Sequence, residues 1–163
     1  MTAAKLELTN LAPGDFVYGT GGRQLYFTVL GSCVSLVLWH PASRFYAMCH
    51  YISPHTPATE AGKVRVQGKY ADQVLPYLWQ QVQKHQIPPQ ELQVSLAGGA
   101  GNLLSGQLAR QFQIGALNLE MARHFIAEHQ LNLYKDDTGG QPARRLRFDS
   151  RTGALEIEQV VAG

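Results

Sequence analysis

The sequence predicts a layered α/β or α+β domain in which a sheet packs against helices. Three observations lead there: strand-like alternation at both ends of the chain, helical spacing between them, and no linker that would split it. The 163 residues carry no internal repeat, low-complexity tract or long Pro/Gly-rich stretch, so residues 1–163 read as a single domain. A chain of this size buries roughly two-thirds of its unfolded surface on folding.

The opening, through Pro13, Gly14 and the run Gly19-Thr20-Gly21-Gly22, reads as irregular. Gln24 to Leu30 is β-branched and aromatic, a strand that Gly31-Ser32 punctuates. From Cys33 to Trp39, Val34, Leu36 and Leu38 alternate with Cys33, Ser35, Val37 and Trp39. His40-Pro41-Ala42-Ser43 has turn character, and Phe45 to Ile52 returns as a strand. Pro54 to Gly68 is a polar surface loop. Tyr70, Val74, Leu75, Leu78, Trp79 and Val82 recur at helical spacing, with Pro76 a place to kink and Pro88-Pro89 a stop. Leu92, Val94 and Leu96 alternate as a strand that runs into glycines 98, 99 and 101. A second helix is expected over about 115–130, then a strand at Leu131–Tyr134 and a loop from Asp136 through Gly140. In the final hairpin Leu146 and Phe148 alternate, Asp149–Gly153 turns, and Leu155 and Ile157 alternate again.

Composition excludes several classes of function. Hydrophobic residues make up 45% and charged residues 16%, which argues for a packed core and against a disordered chain. A net charge of +2 is too small to make a nucleic-acid backbone or an anionic membrane the obvious partner. The N-terminus lacks an apolar targeting segment, and no stretch approaches the ~18–20 apolar residues of a membrane span, so a cytoplasmic protein without membrane insertion is expected. Two cysteines make no disulfide framework, and each is either core filler or chemistry.

Cys33 and His50 are the chemical candidates. If the loop of the hairpin spans residues 40–43, paired positions sum to 83 and Cys33 faces His50, about 4.5–5.5 Å apart at Cβ. A thiol needs such a neighbour, because the thiolate is the attacking species and a free cysteine, pKa about 8.5, is mostly protonated. Gly31 and Ser32 set Cys33 at a bend where backbone N–H groups can face an oxyanion, and Thr28 is close enough to orient the histidine. The plainer reading makes Cys33 a small buried hydrophobe and His50 a core histidine.

Cys49, beside Met48 and out of phase with His50, reads as core-facing. A metal site drawing on Cys33, Cys49, His50 and His55 matches no compact zinc spacing. His40, His85, His124 and His129 read as solvent-facing. Gly99-Ala100-Gly101 starts like a dinucleotide fingerprint, but Leu104 occupies the third glycine position; a tight turn bringing backbone near the site is the better account. Asp137-Thr138-Gly139-Gly140 reads as a turn, with Thr138 available to a ligand.

The blocks Thr28-Val29-Leu30-Gly31-Ser32-Cys33-Val34 and Ala47-Met48-Cys49-His50 resemble the chemoreceptor glutamine deamidase family, CheD. Further blocks match in order: Gly68 to Asp72, Ala97 to Ala100, Ile114-Gly115 with Asn118, Asp137 to Gly140 with Arg144, and Thr152-Gly153. The resemblance implies a three-layer α/β sandwich, with a mixed sheet and packed helices, similar to deamidating toxin cysteine hydrolases. It implies Cys33 as nucleophile, His50 as base and Thr28 as third member, hydrolysing glutamine side chains of methyl-accepting chemotaxis receptors without metal or cofactor. A phosphatase of the CheC type is the implied second partner, and a non-catalytic adaptor on the same fold is the competing reading. Leu117 stands where the family pattern has arginine, and Tyr51-Ile52-Ser53 replaces a more apolar run.

Overall fold

A computed structural model describes residues 6–101 and 107–160. The elements run β1 (Glu7–Asn10), β2 (Phe16–Thr20), β3 (Gln24–Leu30), β4 (Val34–His40), β5 (Phe45–Cys49), α1 (Ala71–Lys84), β6 (Gln93–Gly98), α2 (Gln107–Glu128), β7 (Asn132–Thr138), β8 (Ala143–Asp149) and β9 (Leu155–Val160). They build two mixed sheets, a four-stranded one in the order β1-β3-β8-β9 and a five-stranded one in the order β2-β5-β4-β6-β7. Both helices cover one face of the five-stranded sheet, and the four-stranded sheet covers the other. The predicted three-layer α/β sandwich is therefore observed, with two sheets in place of one.

The two cores follow from alternation on β4. All seven of its residues are buried because it runs through the middle layer. Val34, Leu36 and Leu38 face the helices, packing with Val74, Leu75, Leu78 and Val82 of α1 and with Ala122 and Phe125 of α2. Val37 and Trp39 face the other sheet, against Tyr26, Leu30, Leu146, Phe148 and Leu155.

Three expectations need correction. The opening is not irregular: β1 and β2 are edge strands, paired on one side only and half exposed, so burial imposes little alternation on them. The stretch 136–140 is largely strand, because β7 continues in parallel with β6 as far as Thr138 opposite Gly98. The second helix starts at Gln107, well before 115. Gly115 lies inside it, where a Cβ would meet the Ala100 carbonyl at 2.6 Å, so it lets the helix approach the 99–100 backbone. α1 runs through Pro76 and ends at Lys84, ahead of the two prolines. Leu104 lies outside the described residues.

Candidate active site

Thr28, Cys33 and His50 all belong to the space between the sheets. Thr28 is on the inward face of β3 with Tyr26 and Leu30, and is 1% exposed. His50 directly follows β5, its N–H donating to the Asp15 carbonyl and its carbonyl accepting from Gly14 N–H. Cys33 precedes β4 and is half-buried against the inter-sheet cluster.

The hairpin register differs from expectation by two residues. Ladder partners are Val37 with Met48 and His40 with Phe45, and a further bridge joins Val34 to Tyr51, so paired positions sum to 85. The loop is 41–44 rather than 40–43. His40 stays in the strand, its ring bonded to Ser43 Oγ at 2.6 Å and Glu91 at 2.8 Å, and Arg44 closes the turn at φ 60°. His40 is therefore buried, not solvent-facing. Because the slip is two, side chains keep their faces: Cys33 and His50 share the inter-sheet face as diagonal neighbours, about 7–8 Å apart by ladder geometry. Ser35 takes the position across from His50.

The histidine is oriented on one side and open on the other. Thr28 Oγ1 donates to the Leu11 carbonyl at 2.6 Å, so its lone pair receives the proton of His50 Nδ1 at 2.7 Å. That assignment leaves Nε2 with the basic lone pair, and Nε2 has no hydrogen-bond partner among the described residues. Burial holds the His50 pKa below its ordinary value, with the Leu11 carbonyl and Asp15 opposing. Burial likewise raises the Cys33 thiol, opposed by the residue's own backbone N–H. Both shifts favour the neutral forms, thiol and imidazole.

The bend before Cys33 is tied down by backbone. The Gly31 carbonyl accepts from Ala100 N–H and the Cys33 carbonyl from Gly99 N–H, each at 2.8 Å. The latter contact requires Gly98, which sits at φ 108° with a would-be Cβ only 2.2 Å from the Cys33 carbonyl oxygen. The glycine run is thus the tight turn expected, bringing backbone against the site. Neither Ser32 N–H nor Cys33 N–H donates to the backbone of another described residue. Asn118 of α2 lies beside this bend, outside the residues the sequence assigns to the site. It is fully buried, and its amide donates to the Ser32 carbonyl at 3.0 Å and the Ile52 carbonyl at 3.1 Å. Its place in the Ile114-Gly115 block of the family resemblance, and the helical spacing that sets a polar residue beside Ala122 and Phe125, are the signals that flag it.

Other candidates resolve differently. Cys49 faces the helix-side core, its thiol directed at the Leu36 carbonyl and its pKa pushed up to about 12 by burial. It lies on the opposite face from Cys33 and His50, and no cluster of three or more metal-ligating side chains occurs among the described residues. Thr138 bonds Asp136 and Arg123 rather than standing free. A groove of about 530 Å³ is lined by Pro54 and His55 with Leu117, Glu120, Met121, Arg123 and His124 of α2; the leucine that replaces the pattern's arginine forms part of its wall, and none of the candidate site residues lines it. A larger hollow of about 670 Å³, beside Arg23, Arg44 and Arg151, contains none of the site residues. No described helix is long and apolar enough to cross a membrane.

Comparison with known proteins adds a family. Residues 54–159 match the family model CheD, described as chemotactic sensory transduction. A probable chemoreceptor glutamine deamidase of Chromobacterium violaceum is 33% identical, over 94% of this chain and 78% of that one. A counterpart from Dechloromonas aromatica is 35% identical, over 94% of this chain and 89% of its own. The chemoreceptor glutamine deamidase of Thermotoga maritima is 31% identical, over 82% of this chain and 80% of its own.

Proposed function

This chain belongs to the CheD family, and from that membership we propose that it deamidates glutamine side chains of methyl-accepting chemotaxis receptors in the cytoplasm, residues 1–163 acting as one catalytic domain. The observation that carries the mechanism is the hydrogen bond from His50 Nδ1 to Thr28, which leaves Nε2 as a free base on the face that holds Cys33.

In this reading Nε2 takes the Cys33 proton as the sulfur attacks the glutamine Cδ, the two groups closing from their diagonal positions when substrate fills the site. The developing oxyanion meets the N–H groups of Ser32 and Cys33. The C–N bond breaks as the imidazolium returns its proton to the leaving nitrogen, releasing ammonia and leaving a thioester. Water, deprotonated by Nε2, then attacks the thioester, and the products are glutamate and the regenerated thiol. Thr28 keeps the ring in the productive tautomer throughout. A phosphatase of the CheC type is the second partner.

The test is mass spectrometry of a receptor cytoplasmic fragment incubated with the wild type, Cys33→Ala, His50→Ala, Thr28→Val and Thr28→Ser. Wild type adds about one dalton per modified glutamine. Cys33→Ala and His50→Ala add none on the same timescale, Thr28→Val slows the gain by about 10²-fold, and Thr28→Ser stays close to wild type. A wild type inactive on every receptor tested, with Cys33→Ala still supporting chemotaxis, overturns the enzyme in favour of the adaptor.

A further inference from the structure

We infer that Asn118 is a positioning residue for this reaction, pinning the peptide before the nucleophile so that the Cys33 N–H faces the reacting atoms. The inference rests on the deamidase reading above and names a residue outside its triad.

The geometry begins with the Asn118 amide. Its two protons reach the Ser32 and Ile52 carbonyls, so one side chain clamps the segment before Cys33 to the segment after His50. A trans peptide is planar with its C=O and N–H antiparallel, and no cis peptide occurs among the described residues. Holding the Ser32 carbonyl on α2 therefore turns the Cys33 N–H away from α2. Ala100 N–H holds the Gly31 carbonyl in the same manner and so orients the Ser32 N–H. The two donors proposed for the oxyanion are each set by a bond to the carbonyl of their own peptide, one from backbone and one from Asn118. The Cys33 N–H also acts on its own thiol, favouring the thiolate.

Asn118 is itself fixed and is a poor choice for packing alone. Tyr51, buried and bridged to Val34, donates its hydroxyl to the Asn118 carbonyl, which ties the clamp to the strand end that carries His50. The Asn118 Oδ1 is buried without a hydrogen-bond partner among the described residues. An unmatched buried acceptor costs stability that a leucine of similar shape would not incur. The donor half of the amide is what the site uses.

The experiment compares wild type, Asn118→Leu and Asn118→Gln by deamidation kinetics and by the pH profile of Cys33 alkylation with iodoacetamide. Asn118→Leu is expected to lower kcat about 10²-fold, with KM within about threefold, and to shift Cys33 alkylation to higher pH. Asn118→Gln, which keeps both donors, is expected to recover part of each effect. If Asn118→Leu does not fold, Asn118→Ser is read on the same two measurements. A folded Leu or Ser variant with wild-type kcat and an unshifted alkylation profile overturns the role. Alkylation needs no receptor, so a wild type without deamidase activity sinks the parent reading while the profile still decides whether Asn118 orients Cys33.

Discussion

The two faces of the five-stranded sheet are made of the same strands, and both are apolar, but they differ in the polar residues they hold. The face toward the helices collects Val34, Leu36, Leu38, Ala47 and Cys49, with Tyr51 sending its hydroxyl to the α2 backbone. The face toward the second sheet carries Ser35 and His50, with Thr28 bonded to His50 from across the layer and Cys33 at its margin. Each face contributes one cysteine, and alternation alone decides which thiol is a core atom and which is available for chemistry. Both faces bury an apolar core, and the inter-sheet face adds Ser35 and His50, each with a buried polar atom that has no partner among the described residues.

The largest effect that separates the faces is a cavity on the helix side. Leu36→Ala removes a fully buried side chain between β4 and the helices and is expected to cost about 2–5 kcal/mol in urea unfolding. Deamidation per folded molecule should stay within about twofold of wild type. A drop in turnover matching the loss in stability would mean that the faces are not separable.

The second contrast is between the thiols. Iodoacetamide at pH 8 should modify Cys33 and spare Cys49 in the folded protein, peptide mapping assigning the label. Both thiols are raised by burial, Cys49 to about 12, so both stay protonated at this pH, and exposure of the half-buried Cys33 decides the outcome. The stability consequence has a definite sign. Below a thiol's ordinary pKa of 9.0 neither the folded nor the unfolded state has ionised, and Cys49 contributes no pH dependence. Above it the unfolded state loses a proton that the folded state keeps, so stability falls as pH rises from 9 toward 12. Cys49→Ala should flatten that part of the wild-type curve, and an unchanged slope would break the assignment.

The face assignment was legible in the sequence where alternation is strict. Val34, Leu36 and Leu38 against Cys33, Ser35 and Val37 separate the two layers of β4, and Cys49 is already out of phase with His50. The fold was least legible at the sheet edges, where β1 and β2 are half exposed and burial does not enforce a period. Cys33 and His50 are not the directly opposite pair expected, but they keep a common face because a register shift of two preserves it; a shift of one would have put them on opposite sides of the sheet. Asn118 was visible as part of the family pattern, but what it does was hidden for a different reason. Its partners are the Ser32 and Ile52 carbonyls, more than sixty residues away along the chain, and backbone carbonyls leave no signature in sequence.

Ser35 provides the finest test of the comparison. Its hydroxyl is fully buried with no partner among the described residues, and the observed register places it across from His50. On a face devoted to packing such an oxygen is a defect, and Ser35→Ala should leave stability unchanged or raise it by up to about 1 kcal/mol. The informative quantity is turnover measured on the same variant. If the inter-sheet face is tuned around His50, removing the hydroxyl should alter the pH dependence of deamidation below about 6.5, where an imidazole held low by burial begins to take up its proton. Stabilisation with an unaltered pH profile would place Ser35 with the packing residues and confine the chemistry of this face to Thr28, Cys33 and His50.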